Sequence, residues 1–491
     1  MSDTNIGNSY HITANDLETL KLFFKRGTNA PKSGAEIEVS LLDSATMAPI
    51  TAAQNQNIRQ RLAAPQDYGY DFAAIETSEE AASLTLEIKT SAYAPKDNAA
   101  LGNDIDIQLR ALALVCDDLN IYICPLAQPP HITQKLLEDQ IIARESGRAE
   151  AFIGAFKKNG YDAYIKNFFL NNAVQVSVSY KDTNALYNTV RRLAALTAPL
   201  ALLFNNCSGT LEGIAQKPAP SGLVLRDGLR IGSPKTSRGG LPAFFFHAAN
   251  GDDFIDRYFD WALSRPLLAR YDQNGENMGI APEDHPPSFS QLSKNNNGFA
   301  HGSNFELAFG MVWPHLKLAF IRNDSQNITG GRLEVRALDT GPWQTHLAAP
   351  LIAALAHNDA AITAIDALLL EYGFDPANPK QFERLTQDSI AAALSAQNNF
   401  GLKTMTGFCR AFVEAIAPFI AGETKAQKSA QQSFLDNAHK RTIDKDKLFS
   451  PCESAQKAAE HHILPLYHKA QNTRKNADSH EMPVAQIPRP V

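Results

Sequence analysis

The chain has 491 residues, of which 44% are hydrophobic and 20% are charged, a composition typical of a globular protein that can bury a large core. Its formal net charge is −6, which argues against a nucleic-acid binder, because such proteins carry a clustered basic surface. Its five cysteines show no CxxC spacing, so neither a disulfide framework nor a zinc site is expected.

The sequence also argues against export and membrane insertion. Its first residues are polar and lack a basic region followed by an apolar one. No window approaches the run of about 18 apolar residues that a membrane helix needs. We therefore predict a cytoplasmic protein with no membrane partner, and the sequence leaves a homo-oligomer open.

Three regions are predicted along the chain. Residues 1–30 form an N-terminal extension, residues 31–421 form one catalytic domain, and residues 422–491 form a polar tail. The composition changes near Gly422, where "KAQKSAQQSFLDNAHKRTIDKDKLF" is polar and charged. We expect one or two loosely packed helices in this tail, followed by a frayed terminus.

The first predicted strand is "AEIEVS", in which Glu36 and Glu38 alternate with Ile37 and Val39. Side chains alternate across a strand, so the two glutamates share one face, about 7 Å apart. Like charges at that distance repel each other unless a cation lies between them. The alternative interpretation is an edge strand whose glutamates face water.

Two further segments repeat this alternation before the middle of the chain. In "LTLEIKT", Glu87 shares a face with Thr85 and Lys89, and in "VQVSVSY", Gln175 shares a face with Ser177. Each pattern predicts a half-buried strand with one polar and one apolar face.

Long helices are predicted after the third strand. In residues 182–204, leucine and valine recur at steps of three to four residues, after a capping aspartate. The same periodicity is found in "DDFIDRYFDWALSRPLL" and in residues 344–372 and 381–396. These helices are long and apolar enough to cover a sheet.

The fourth predicted strand, "RLEVRALD", places Glu334 and Arg336 on one face. If all four strands belong to one antiparallel sheet with helices on its apolar side, the polar side carries Glu36, Glu38, Glu87, Gln175, Glu334 and Arg336. Four carboxylates on one surface need cations, and Mg²⁺ or Mn²⁺ suits them because hard divalent ions take oxygen ligands. The alternative is that the strands lie apart and each polar face is solvated.

Four blocks of the sequence resemble the glutamate-cysteine ligase family, and more narrowly its bacterial carboxylate-amine ligase branch. They are "EIEVSLLDSATMAPI", "LEIKTSAYAP", the strand "QVSVSY" before a long helix, and "MVWPHLKL" followed by "GRLEVRALDTGP". Their order and spacing match over residues 34–418. The resemblance implies an α+β fold like that of glutamine synthetase, in which a curved, mainly antiparallel sheet forms a half-funnel with helices on its outer face.

The resemblance also implies a reaction. ATP phosphorylates a carboxylate, typically the γ-carboxylate of glutamate, and an amine then attacks the acyl phosphate to form an amide. Carried over by position, the metal ligands for Mg²⁺ or Mn²⁺ are Glu36, Glu38, Glu87 and Glu334. By the same correspondence, Arg336 and Glu334 act at the reacting groups. The implied partners are an amino acid, expected to be glutamate, and an amine whose identity stays open.

Further residues are candidates for substrate or nucleotide binding. They are Gln175, Lys317 and three residues of the Gly-rich segment "GLRIGSPKTSRGGLP", namely Arg230, Ser233 and Arg238. Solvated surface charge is the alternative for this segment and for Lys317. Ser177 departs from the family, in which a histidine is typical at this position. Because neutral serine is a poor metal ligand, one metal position loses a ligand unless the carbonyl oxygen of Gln175 replaces it.

Two other functions compete with an ATP-dependent ligase. The absence of a histidine at position 177 motivates a catalytically degenerate relative that binds a nucleotide or an amino acid as a sensor or assembly partner. Phosphotransfer to another acceptor on the same fold is the third hypothesis. The ligase hypothesis differs from both by predicting amine-dependent release of phosphate and ADP.

Overall fold

Strands with alternating polar and apolar residues form one seven-stranded sheet in the computed structural model of the chain. In chain order, the strands are β1 Ser33–Asp43, β2 Thr77–Glu79, β3 Thr85–Lys89, β4 Ile121–Cys124, β5 Val174–Val178, β6 Leu316–Arg322 and β7 Ile328–Val335. They lie in the order β6-β7-β5-β1-β3-β2, with β4 also paired to β1, and every pair is antiparallel. The sheet curls through 195° and so forms a half-barrel.

The structure describes most of the chain. It covers residues 13–80, 82–142, 154, 157–158, 170–215, 238–271, 278–280, 287–295, 302–323 and 327–480. Outside the large sheet, short strands pair two by two: Thr210–Leu211 with Ile214–Ala215, Gly239–Gly240 with Trp313–Pro314, Ala269–Tyr271 with Met278–Ile280, and Asn399–Phe400 with Lys403–Thr404.

Helices make up much of the remaining described chain. The α-helices are Ala14–Arg26, Ala52–Ala63, Asn98–Asp118, Gln134–Ile142, Thr183–Leu203, Phe244–His247, Gly251–Leu263, Phe289–Asn295, Gly302–Gly310, Gln344–His357, Asp359–Glu371, Pro379–Leu394, Met405–Ile416, Lys425–Arg441, Lys445–Leu448, Glu453–Ala458 and Leu464–His480. The 3₁₀-helices Pro65–Tyr68, Pro95–Asp97 and Ala417–Phe419 and the π-helix Ala459–Ile463 complete the set of described helical elements. Within the described chain no single helix could span a membrane, and only Gln344–His357 and Asp359–Glu371, bent by 84°, pass that test as a pair.

The apolar sides of the strands face these helices. Ile37 and Val39 of β1 and Val176 of β5 are each at most 5% exposed. The helix Gln344–His357 packs against both β1 and β5. Packing of the alternate apolar residues against the helices therefore fixes the register of each strand, because a slip of one residue would turn its charged side chains toward the helices instead.

A close contact holds the first helix on β7. Gly331 leaves room for the ring of Phe24, since a Cβ atom at Gly331 would lie only 2.1 Å from Phe24 Cδ1. Phe24 is fully buried and packs edge to face with Phe320 of β6, with ring centroids 5.3 Å apart. The helix Ala14–Arg26 thus covers the apolar side of β6 and β7, and the prediction of an α+β fold with a curved antiparallel sheet and outer helices is confirmed.

A helix from the last third of the chain also packs on this body. The helix Lys425–Arg441 contacts the helices Asn98–Asp118 and Gln344–His357, and its Phe434 is fully buried. The division of the chain at residues 30 and 421 stays a prediction.

Candidate active site

Pairing of the strands brings the predicted glutamates onto one side of the sheet, which we call the polar face. Glu38 of β1 lies opposite Glu87 of β3, and Glu36 lies between Lys89 on one side and Gln175 on the other. The register of β1 against β3 and β5 is determined by the buried apolar residues that alternate with these polar ones. The alternation that buries Ile and Val therefore also determines which polar residues are neighbours across the strands.

The same side continues onto β7 and β6. Glu334 lies opposite Ser177 on one side and Lys317 on the other, and Ser177 in turn lies opposite Gly34. The four predicted carboxylates therefore lie on three strands, β1, β3 and β7, of one sheet. All four are half-buried or buried, with exposed fractions of 8% for Glu38, 5% for Glu87 and 4% for Glu334.

Two of these carboxylates converge with a third that the sequence did not single out. Oxygen atoms of Glu38, Glu80 and Glu87, which we call the acidic cluster, lie within 4.8 Å of one another. Glu80 follows directly after the three-residue strand β2, which pairs with β3. Carboxylate oxygens at this spacing are the donor set that hard divalent cations prefer, so these residues fit Mg²⁺ or Mn²⁺.

Hydrogen bonds fix two carboxylates of the acidic cluster, those of Glu38 and Glu87. The backbone N–H of Ala173 donates to Glu38 Oε2 at 2.8 Å, and the side-chain amide of Gln175 donates to Glu38 Oε1. The hydroxyl of Ser78 donates to Glu87 Oε1 at 2.5 Å, and Lys89 Nζ lies 3.2 Å from the same oxygen. The oxygen atoms are thus held in place before any ion binds, which lowers the cost of binding one.

Negative charge is crowded at this end of the polar face. Burial, and then the charge of Glu36, raises the pKa of the Glu87 carboxyl above its ordinary value, while Lys89 and the Ser78 hydrogen bond lower it. The pKa of Lys89 is also raised, because the attraction of Glu87 and Glu36 outweighs the burial that opposes its charge. A divalent cation would relieve the repulsion that raises the pKa of Glu87.

The other two predicted carboxylates are paired with arginines. Arg332 Nη2 lies 3.1 Å from Glu36 Oε1 and 3.7 Å from Glu334 Oε2. The guanidinium of Arg336 donates to the remaining oxygen, Glu334 Oε1. We call these four residues the ion-paired cluster. Arg332 thus supplies the cation that the sequence required beside Glu36, in a place where a metal ion was expected.

Two polar atoms between the clusters have no hydrogen-bond partner in the described part of the chain. They are the carbonyl oxygen of Gln175 and the hydroxyl oxygen of Ser177, and both atoms are buried. Buried polar atoms are normally paired. The Gln175 carbonyl thus has no partner among the described residues, and its role as a replacement for the histidine absent from position 177 stays a prediction.

The remaining candidates lie elsewhere or outside the described residues. Lys317 lines a cavity of about 270 Å³ beside β6 with Tyr271 and Ser303, and its Nζ donates to the carbonyl of Gly310 at 3.2 Å. This position, one strand away from Glu334, is compatible with a role toward a phosphate.

Arg238, unlike Lys317, does not line this cavity. It is buried, and its guanidinium donates to the carbonyl of Met311 at 3.1 Å and to that of Pro266. These contacts support a structural role that joins two chain segments. Arg230 and Ser233 fall outside the described residues, so their assignments stay predictions.

Sequence reasoning missed Glu80 and Arg332. Arg332 could have been found, because the alternation in "RLEVR" places Arg332, Glu334 and Arg336 on one face. Glu80 lies just beyond a strand of three residues, too short to show a period. Its only signal was the adjacent acidic pair in "TSEE".

The chain matches no protein-family model and no curated protein. Among solved structures it is similar to a glutamate–cysteine ligase from Francisella tularensis in complex with AMP, at 12% identity over 95% of this chain and 96% of that chain, with a TM-score of 0.44. A glutamate–cysteine ligase is therefore among its structural neighbours.

A second similar structure is a bifunctional glutathione synthetase from Pasteurella multocida. Its identity is 11% over 88% of this chain and 54% of that chain, with a TM-score of 0.33. At these TM-scores the likeness assigns no activity, so the case for function rests on the residues of the polar face.

Proposed function

We propose that the protein is an ATP- and Mg²⁺-dependent carboxylate-amine ligase that acts on the γ-carboxylate of glutamate. The observation that carries the proposal is the convergence of glutamates and arginines from β1, β3 and β7, with Glu80 after β2, on one buried polar face. Burial of so many charges costs free energy unless ligands or partners compensate for it, so such a face points to function rather than to stability.

The acidic cluster fits a divalent cation by its chemistry. Glu38, Glu80 and Glu87 offer hard oxygen donors, and the described cluster contains no cysteine or histidine that would favour zinc. When bound there, Mg²⁺ would offset negative charge on the phosphates of ATP. Lys89, beside Glu87, would limit how much negative charge the empty cluster carries.

The arginines of the polar face suit the other half of the reaction. A phosphoryl group in transfer spreads its charge over several oxygens, and a carboxylate substrate presents two more. A planar guanidinium can donate two hydrogen bonds to either group. Arg336 and Arg332, each held by Glu334, are oriented by that carboxylate rather than free to rotate. We propose Arg336 as the residue that contacts the transferred phosphoryl group.

The proposal is tested by incubating the purified full chain with ATP, Mg²⁺, glutamate and a panel of amines. We expect ADP and phosphate to be released only when both glutamate and one of the amines are present, with one amide formed for each ATP consumed. Mass spectrometry of the product identifies the amine. Glu453→Gln, at an exposed residue paired with Lys457, is a matched control that should react like the wild type. ATP consumption without an amide would contradict the proposal.

A ligand-binding protein without catalysis is the second candidate, and Ser177 favours it. Its position opposite Glu334 offers only a neutral hydroxyl where a stronger ligand was expected. In that case ATP or glutamate would raise the melting temperature of the protein while no ADP is formed with any amine. If the wild type consumes ATP and Glu87→Gln does not, this candidate is ruled out, because the wild type is then a catalyst that depends on Glu87.

A further inference from the structure

The two clusters of the polar face differ in what lies beside their carboxylates. In the ion-paired cluster arginines lie beside Glu36 and Glu334, whereas in the acidic cluster three carboxylates lie together. We infer that the Arg332 guanidinium replaces a divalent cation between Glu36 and Glu334, so that this site binds metal through the acidic cluster alone. The inference deepens the proposed function and rests on it for the role of the metal. Its test, however, counts bound ions and does not depend on turnover.

The distances place Arg332 between the two carboxylates. Arg332 Nη2 is 3.1 Å from Glu36 Oε1 and 3.7 Å from Glu334 Oε2. The second oxygen of Glu334 accepts a hydrogen bond from Arg336. Both oxygens of Glu334 therefore face guanidinium groups. Mg²⁺ needs its oxygen ligands at about 2.1 Å, so an ion between Glu36 and Glu334 would lie against two positive groups and would have to displace Arg332.

Apart from Glu36, the neighbours of Glu334 add no ligand for a second ion, so such an ion would depend on the two carboxylates that Arg332 contacts. Across the sheet, Glu334 faces Ser177 on β5 and Lys317 on β6, and the residue beyond Ser177 is Gly34. A neutral hydroxyl is a poor ligand, a lysine is a cation, and glycine has no side chain. The acidic cluster differs because three carboxylates meet there.

An arginine in this place has a physical consequence. Its guanidinium is covalently attached to the chain, so it cannot dissociate from the site as a metal ion can. Arg332 can therefore keep Glu36 and Glu334 paired whatever the metal concentration. We expect the positive charge at this end of the polar face to be independent of Mg²⁺.

The test is a count of bound Mn²⁺ on the full-length chain, read from the loss of the free Mn²⁺ signal in electron paramagnetic resonance. We expect one bound ion in the wild type and none in Glu87→Gln. We expect one in Glu36→Gln, because Glu36 is not a ligand under this inference. In Arg332→Ala, we expect a second ion, since Glu36 and Glu334 lose the cation that they share. Arg257→Ala, which removes an exposed arginine paired with Asp253, is the matched control and should bind one ion.

The result that would overturn the inference is a wild type that binds two ions and a Glu36→Gln variant that binds one. An Arg332→Ala variant that is folded by circular dichroism and gains no ion would overturn it as well. If Arg332→Ala does not fold, the Glu36→Gln count decides. A wild type that binds no ion, with one gained in Arg332→Ala, would count against the metal-dependent ligase and would still support the role of Arg332.

Discussion

Glu36 and Glu38 lie two residues apart on the same strand and face, yet they have different surroundings. Glu38 accepts hydrogen bonds from the Ala173 backbone and from Gln175, and it lies near Glu80 and Glu87. Glu36 is paired with a guanidinium. The difference arises from the neighbouring strands, because β3 and the residue after β2 bring carboxylates to one end of the polar face while β7 brings arginines to the other.

This contrast shows what alternation and register each determine. Alternation places both glutamates on the polar face, while register and side-chain length determine which charge each of them meets. The acidic cluster and the ion-paired cluster can therefore be perturbed separately. Five substitutions test whether they are independent, beginning with the largest expected effect.

Glu334→Gln should lower the free energy of unfolding by about 3 kcal/mol, because it leaves Arg332 and Arg336 without their shared negative partner in a mostly buried place. Glu36→Gln should cost only about 1 kcal/mol, since Glu36 and Arg332 are 18% and 30% exposed and water screens their attraction. Urea unfolding of the two variants measures both values. Equal losses would show that the ion-paired cluster is not organised around Glu334.

Glu87→Gln should lower the rate of the proposed ligase reaction about 100-fold, the usual cost of removing one electrostatic group from an active site, and should abolish Mn²⁺ binding. It should not lower the melting temperature, because glutamine retains an acceptor for Ser78 and no longer repels Glu38. Thermal unfolding at pH 7 beside the turnover assay separates the two effects. A large loss of stability would indicate a structural role for Glu87.

Lys89→Met should tighten Mn²⁺ binding to the acidic cluster about fivefold, because it removes a positive charge 3.2 Å from Glu87. The effect should be modest, since the Lys89 side chain is 35% exposed, and it should shrink as salt is added. Titrations at two ionic strengths measure it. Weaker binding in Lys89→Met would mean that Lys89 positions Glu87 instead.

Ser177→Ala should have the smallest effect. The hydroxyl of Ser177 has no partner among the described residues, so its loss should change the free energy of unfolding by less than about 0.5 kcal/mol. The Mn²⁺ count should also stay the same. A loss of one bound ion would show that Ser177 takes part in a metal site, and the two clusters would then not be separate.

The sheet could be predicted from the sequence because its strands carry strong alternation. The pattern of Ile37 and Val39 against Glu36 and Glu38 requires one buried face and one polar face wherever the strand lies. The long apolar helix Thr183–Leu203 was predicted to within one residue at each end, with Asp182 as its cap. Local periodicity is therefore enough to predict the strands and helices and the face on which each side chain lies.

The partners within the site could not be predicted in the same way. Arg332 reaches Glu36 across an intervening strand, and that contact depends on strand order and on a long side chain rather than on spacing in the sequence. Glu80 meets Glu38 through a strand of three residues that has no period of its own. Contacts between residues far apart in the chain are decided by the curvature and order of the sheet, which no single segment encodes.

Gly331 has no side chain, and this allows the first helix to pack closely on β7. Phe24 fills that space, and Gly331 directly precedes Arg332, so the first helix supports from behind the strand that carries Arg332 and Glu334. Residues 14–26 are therefore part of the packing of this sheet, and variants that trim them should be expected to disturb the charged residues of β7.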